Sequence, residues 1–301
     1  MQNTPLEIYD AIKETYLKYL DSAFWLRDAE VMAERRDLLS EDGVLSTPPI
    51  MEVILPYKNS QTVKEVCQSV GLGDDIAESL SQAIFNEPSD FSLRKHQALA
   101  LEACFKYGSP NGHNPIVTSG TGSGKTESFM LPLFARLFNE SKKWGAPQPL
   151  HQWWHERSGD WRPSRSSGEG KLAAVRAIIL YPTNALVEDQ VTRLRKIIAK
   201  ANGNTQNPQF FFGRYTGATL GDQKVPKKNT DDAVKEAANE IRDVISEFAE
   251  LQRLNAEEDV LYQLQNPLNG EMLTRWDMVA APPDILVTNF SMLNVMLMRD
   301  V

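Results

Sequence analysis

The chain has 301 residues and a formal net charge of -8, with a pI of about 5.2, which excludes a protein that coats nucleic acid by bulk electrostatics but leaves room for a local basic groove. Hydrophobic content of 42% and charged content of 24% suit a globular chain with one large core or two modest ones. The N-terminus has no basic start followed by an apolar run, no stretch is apolar for long enough to span a bilayer, and Cys67 and Cys104 stand too far apart for a disulfide framework. The expectation is therefore a cytoplasmic protein with reduced thiols and no membrane partner.

Residues 1–86 read as a helical accessory domain. Ile8, Ile12, Tyr16, Tyr19 and Ala23 fall on one helical face, prolines in "STPPI" and "ILPYKN" break the pattern, and "TVKEVCQSV" and "IAESLSQAIF" resume it.

From Phe91 the texture changes to strands alternating with helices. "NPIVTSG" predicts a short strand and "TESFMLPLFARLFNE" a helix. "RAIILYPT" predicts an apolar strand, followed by a helix over "ALVEDQVTRLRKIIAK" with Leu186, Leu194, Ile197 and Ile198 on one face. "PDILVTN" is a further apolar strand, leading into "FSMLNVMLM". Apolar strands alternating with helices mean an α/β domain whose parallel sheet is covered on both faces.

Two insertions interrupt the alternation. Residues 141–172 are rich in Trp, Pro, Gly and Ser and too long for an ordinary connection. Trp144, Trp153, Trp154 and Trp161 beside Arg157, Arg162 and Arg165 suit either a stacking platform for unpaired bases or, more simply, packing on another domain of a larger enzyme. Residues 226–274 contain an amphipathic helix with Val234, Ile241, Val244, Ile245, Phe248 and Leu251 as its apolar stripe.

Between strand and helix lies "SGTGSGKTE". Gly120, Gly122 and Gly124 let successive backbone N–H groups converge on phosphate oxygens, together with Ser119, Thr121 and Ser123, and Glu127 follows in the first helical turn. Lys125 is placed to reach the β- and γ-phosphates and the Thr126 hydroxyl to hold Mg²⁺, so Lys125 and Thr126 are the candidate catalytic residues and Thr126 the candidate metal ligand. Ser119 stands where such loops carry their first glycine. Upstream, Gln97 opens a helix with an amide that both donates and accepts, as the N6 and N7 edge of adenine requires. The cofactors expected are ATP and Mg²⁺.

Taken together, these motifs resemble the superfamily 2 helicases of DEAD/DEAH type over roughly residues 90–300. Gln97 is similar to the family's adenine-reading glutamine, and Gly120–Thr126 to its phosphate-binding motif. "YPTNALVEDQ" matches the next motif through Pro182, Thr183, Ala185, Leu186 and Gln190, with Asn184 where Arg or Lys is common. "YTG" matches at Gly217, and "ILVTNFSML" at Thr288, with Asn289 where many members have Pro. The form "TNFSML", the preamble with "SAFWLRD" and the loop itself look most similar to large bacterial helicases with a DUF1998-type region, including those of the DISARM and Druantia antiphage systems.

The resemblance implies a RecA-like first helicase domain, residues 87–301, preceded by the helical domain. It implies that Pro182, Thr183, Asn184, Gly217, Thr288 and Asn289 grip the phosphates of a single strand without reading its bases, DNA more readily than RNA. The family's Asp-Glu motif and arginine finger have no counterpart here, since "GDDIAE" and "NAEEDV" precede the wrong elements. The parallel sheet is accordingly expected to be incomplete at its C-terminal side and the polypeptide alone inactive in hydrolysis, with the rest of the helicase supplied in cis or in trans and other defence-system proteins as possible partners. The alternative is a non-catalytic nucleotide- or partner-binding module.

Overall fold

Capping chemistry starts the first helix. Thr4 accepts from the Glu7 N–H at 3.3 Å while the Glu7 carboxylate accepts from the Thr4 N–H at 2.7 Å, satisfying two end donors of α1 (Pro5–Ala23). The computed structural model describes residues 4–50, 57–105, 114–166, 171–203, 207–222 and 224–298, and divides into Met1–Pro56 and Tyr57–Val301.

In the first unit α1 pairs with α2 (Ala29–Ser40), which Asp28 caps. Arg35 and Arg36 both clasp Asp21, and Arg36 also reaches Glu14 at 2.7 Å. The apolar face of α1 is not buried: Ile12 is 64% and Tyr19 57% exposed, and Leu17 is the one buried hydrophobic among the unit's described residues.

The boundary falls at Pro56 rather than near residue 86. Strand β1 (Asn59–Thr62) pairs antiparallel with β2 (Ser92–Arg94), and α3 (Val63–Ser69) and α4 (Asp74–Phe85) belong to the larger unit. The reason is their apolar faces: Val63, Val66, Cys67, Ile76 and Leu80 are buried in the same core as α5 (Lys95–Phe105), α6 (Lys125–Ser141) and the sheet.

The sheet is parallel. Its strands are β3 (Ala177–Tyr181), β4 (Phe212–Tyr215), β5 (Glu271–Met272) and β6 (Ile285–Asn289), arranged in the order β3–β6–β4–β5. Helix α7 (Asn184–Asn202) covers one face through Val187, Val191, Leu194 and Ile198. On the other face Phe211, Tyr215, Met272 and Met278 form a smaller core, with α10 (Arg275–Ala280) supplying Met278 and α11 (Phe290–Leu297) supplying Met292 and Met296. This is the expected α/β arrangement of a RecA-like domain with a helical region before it. One expected strand is missing. "NPIVTSG" is irregular in the described residues, with Ile116 90% exposed, because an extended segment becomes a strand only where a neighbour completes its ladder.

The insertions fold onto each other. Trp153, Trp154 and Trp161 from the first, with Trp276, pack on Val234, Ala237, Ala238 and Ile241 of α8 (Asp232–Arg253). Burial of Trp153, Trp154 and Trp161 (at most 7% exposed) leaves them no face for stacking bases. Their cover is also not another domain of a larger enzyme but the neighbouring insertion, whose amphipathic helix supplies the matching stripe. A short helix, α9 (Glu258–Leu261), follows α8.

Beneath the cluster lies Asp277, fully buried. Its carboxylate accepts from the Ser164 N–H at 2.7 Å, the Thr274 hydroxyl at 2.7 Å and the Trp153 indole N–H at 3.2 Å. Burial pushes this carboxyl upward from the usual carboxylate range, against the opposing effect of those donors. The first insertion is also tied to the base of β6. Asp284, with no exposed surface, accepts from Arg165 at 3.1 Å, Lys171 at 3.0 Å, Arg176 at 2.9 Å and the Phe211 N–H at 2.9 Å. Lys171 also lies 3.9 Å from the Trp144 ring centroid, and burial lowers its ammonium to about 8.

Candidate nucleotide site and strand-end loops

The loop over residues 119–124 enters α6 through Gly124, whose φ of 77° is the left-handed backbone that glycine tolerates best. A Cβ at this position would meet the Gln97 Nε2 atom at 2.5 Å, so the position also needs the missing side chain. Gly122 is likewise left-handed at 72°. No side chain caps α6, which leaves the first-turn N–H groups of a 17-residue helix facing the loop.

The lysine is folded inward. Lys125 Nζ donates to the carbonyls of Ser119 (2.7 Å) and Gly120 (3.2 Å), and the hydroxyls of Ser119 and Ser123 are bonded to each other. A cavity of about 780 Å³ opens beside this loop, lined by Thr121 to Glu127 together with Phe91, Arg94, Gln97 and Arg193. Arg94, Lys125 and Arg193 put three cations on its wall against the one carboxylate of Glu127, which pairs with Arg193 at 3.1 Å. The residues fit a triphosphate with Mg²⁺: uncapped N–H groups, glycines at the close approaches, a cation excess and the Thr126 hydroxyl one residue beyond the lysine.

Gln97 sits at the cavity wall, but its amide is engaged inside the protein. Its Oε1 accepts from the Arg94 N–H at 3.0 Å, its Nε2 donates to the Gly124 carbonyl at 3.2 Å, and the residue is 4% exposed. In this structure Gln97 braces the loop rather than presenting a free amide edge. Arg94, which the sequence reading passed over, is the second brace. Its guanidinium donates to the Gly122 carbonyl at 2.8 Å and lies 5.1 Å from the Tyr57 ring centroid. The one signal for it was a basic residue three positions before the glutamine.

Parallel register brings the other candidates to a common edge. Tyr181 pairs with Asn289 and Tyr215 with Thr288, so the loops after β3, β6 and β4 leave the sheet side by side. Pro182, Thr183, Asn184 and Gly217 are exposed there, and the Thr183 hydroxyl is not spent on capping α7. Thr288 does not join them. It is fully buried and its hydroxyl donates to the Tyr215 carbonyl at 2.7 Å, so it fastens β6 to β4 and offers nothing to a ligand. Asn289 is 8% exposed. Its carbonyl caps α11 by accepting from the Met292 N–H, and its amide donates to Asn184 Oδ1 at 2.5 Å. Asn184 and Asn289, which both depart from the family pattern, are thus partners, joining the loops after β3 and β6.

Comparison with known proteins agrees with this geometry. Residues 94–224, from the Arg94 brace through the loop to the Gly217 turn and beyond, match the DEAD/DEAH box helicase family. That segment of the chain is thus similar to a DEAD/DEAH-type helicase domain. Across 98% of its length it is 26% identical to Druantia protein DruE of Escherichia coli (strain UMEA 4076-1), of which it spans 17%. Over 49% of its length it is 27% identical to the DEAD-box ATP-dependent RNA helicase 47, mitochondrial, of Arabidopsis thaliana, of which it spans 21%. No solved structure matches the chain. Among the described residues no helix is long and apolar enough to cross a membrane.

Proposed function

We propose that this chain is the N-terminal portion of an ATP-dependent superfamily 2 helicase or translocase of bacterial antiphage defence, acting in the cytoplasm. The observation that carries the reading is the glycine-lined, cation-rich loop at the uncapped start of α6, in a chain similar to DruE along nearly its whole length. Lys125 leaves the Ser119 and Gly120 carbonyls to meet the β- and γ-phosphates of ATP, Thr126 holds Mg²⁺, and Arg94 and Gln97 keep the loop in shape from behind. Bound ATP with Mg²⁺ supplies the phosphoryl group whose hydrolysis drives movement.

Single-stranded nucleic acid, DNA more readily than RNA, lies across Pro182, Thr183, Asn184 and the Gly217 turn, held by backbone N–H groups and the Thr183 hydroxyl. Asn289 acts behind this surface by fixing Asn184. Hydrolysis needs an Asp-Glu pair and an arginine finger from a further segment, in the same polypeptide or a partner. The outer edge of β3, where Ile178 is 55% exposed, and the unpaired residues 114–118 are where such a segment completes the sheet. The test is equilibrium binding of Mg²⁺–ATP and of a labelled oligo-dT strand to the purified polypeptide. Both are expected to bind, the oligonucleotide with a gentle salt dependence of roughly -0.7 in log affinity per log salt for each phosphate contact. Binding of neither overturns the reading.

A further inference from the structure

The Gly217 turn is held by the helix that follows the second insertion. Arg275, the first residue of α10, sends its guanidinium under the turn and donates to the carbonyls of Thr216 at 2.8 Å, Gly217 at 3.1 Å and Gly221 at 3.2 Å. The same group lies 5.6 Å from the Tyr215 ring centroid, and the Arg275 N–H donates to the Leu220 carbonyl at 2.9 Å. Thr219 closes the turn from within, its hydroxyl accepting from the Thr216 N–H at 2.9 Å and donating to the Arg214 carbonyl at 2.7 Å. Gly221 lies flat on Trp276, where a Cβ would come within 2.8 Å of the indole.

This arrangement sorts the turn's polar groups by direction of use. The carbonyls of Thr216 and Gly217 are occupied by Arg275, while the N–H groups of Gly217 and Ala218, both exposed residues, meet no acceptor among the described residues. A turn with occupied carbonyls and spare N–H groups suits an anion such as a backbone phosphate. Behind Arg275 the chain of support is short: Thr274 and Asp277 flank it in sequence, Asp277 holds Trp153 and Ser164 of the first insertion, and Trp276 sits in the tryptophan cluster.

The geometry points to Arg275 as a positioning residue: the two insertions and α10 form one module that, through this guanidinium, holds the Gly217 turn ready for a phosphate of the bound strand. The inference rests on the single-strand reading of the preceding section but goes beyond it, because it gives the insertions a task and makes a residue that does not touch nucleic acid a determinant of its binding.

The experiment compares the full 301-residue chain with Arg275→Ala and Arg275→Lys by oligo-dT binding at several salt concentrations, by Mg²⁺–ATP binding, and by hydrogen exchange of the residue 216–221 amides. Lysine keeps the charge but not the fork that spans three carbonyls. Both variants are expected to bind the oligonucleotide about tenfold or more weakly, as loss of bonds from a charged donor implies. The salt slope and ATP affinity should stay as in the wild type, and the Thr216 and Thr219 amides, which are bonded within the turn, should exchange faster. Wild-type oligonucleotide binding in Arg275→Lys would make Arg275 a charge contact, and wild-type binding or exchange in Arg275→Ala would overturn the inference. Should the wild type bind no oligonucleotide, the single-strand reading fails while the exchange arm still decides whether Arg275 holds the turn.

Discussion

Replacing Asp277 with alanine strikes the joint between the two insertions. Three donors lose their acceptor at once: the Ser164 N–H and Thr274 hydroxyl, each at 2.7 Å, and the Trp153 indole at 3.2 Å. A buried donor without a partner costs about 1–3 kcal/mol, so the gross loss is roughly 3–9 kcal/mol. Part is returned, because the carboxylate's own burial cost disappears and the Thr274 hydroxyl is free to turn. A net destabilisation of about 3 kcal/mol follows, a large share of the roughly 5–15 kcal/mol that holds a domain together. Asp277→Asn retains one acceptor oxygen and should cost about half as much. Urea denaturation followed by tryptophan emission measures this directly, since four of the six tryptophans sit in the cluster. An unchanged midpoint and emission maximum in Asp277→Ala would refute the view that this carboxylate ties the insertions into one module.

Lys171 has its ammonium lowered by burial from the usual 10.5 to about 8, so the unfolded chain binds the extra proton between those values and wild-type stability should rise with pH across that window. Lys171→Met should flatten this rise, and denaturation midpoints at pH 7.5, 9 and 10 for both proteins test it; parallel profiles would contradict the assignment. Gly124→Ala forces a left-handed backbone on alanine and drives a Cβ against Gln97, so ATP binding should fall at least tenfold, measured by fluorescent-nucleotide titration. With an open β3 edge and exposed Ile178 and Ile116, the purified polypeptide should self-associate and hydrolyse no ATP, and sedimentation velocity with an ATPase assay checks both. A stable monomer with nucleic-acid-stimulated turnover would contradict this.

Local chemistry was legible in the sequence wherever one segment determined it. The loop, the apolar strands over 177–181 and 285–289, and the stripe on α8 follow from residue type and period alone, and the structure shows the strands and helices there. Contacts between distant segments were not legible. The strand expected at residues 114–120 lacks a ladder, Thr288 is turned into the sheet by a carbonyl 73 residues away, and the tryptophans meet a helix that begins some 70 residues later. The boundary near residue 86 followed helical texture, yet α3 and α4 share a core with α6, which only packing decides. Asn184 and Asn289 each looked like a lone departure because nothing local announces a bond across 105 residues.

The central claim, a loop that holds nucleotide through Lys125, is tested most directly by calorimetric titration of Mg²⁺–ATP into the wild-type chain and into Lys125→Ala. Removing the one ammonium that folds onto the loop carbonyls should weaken binding by at least about tenfold, the scale of a charge-assisted contact to phosphate, with the fold intact by circular dichroism. Equal affinity in the two proteins, or no heat of binding in the wild type, would contradict it.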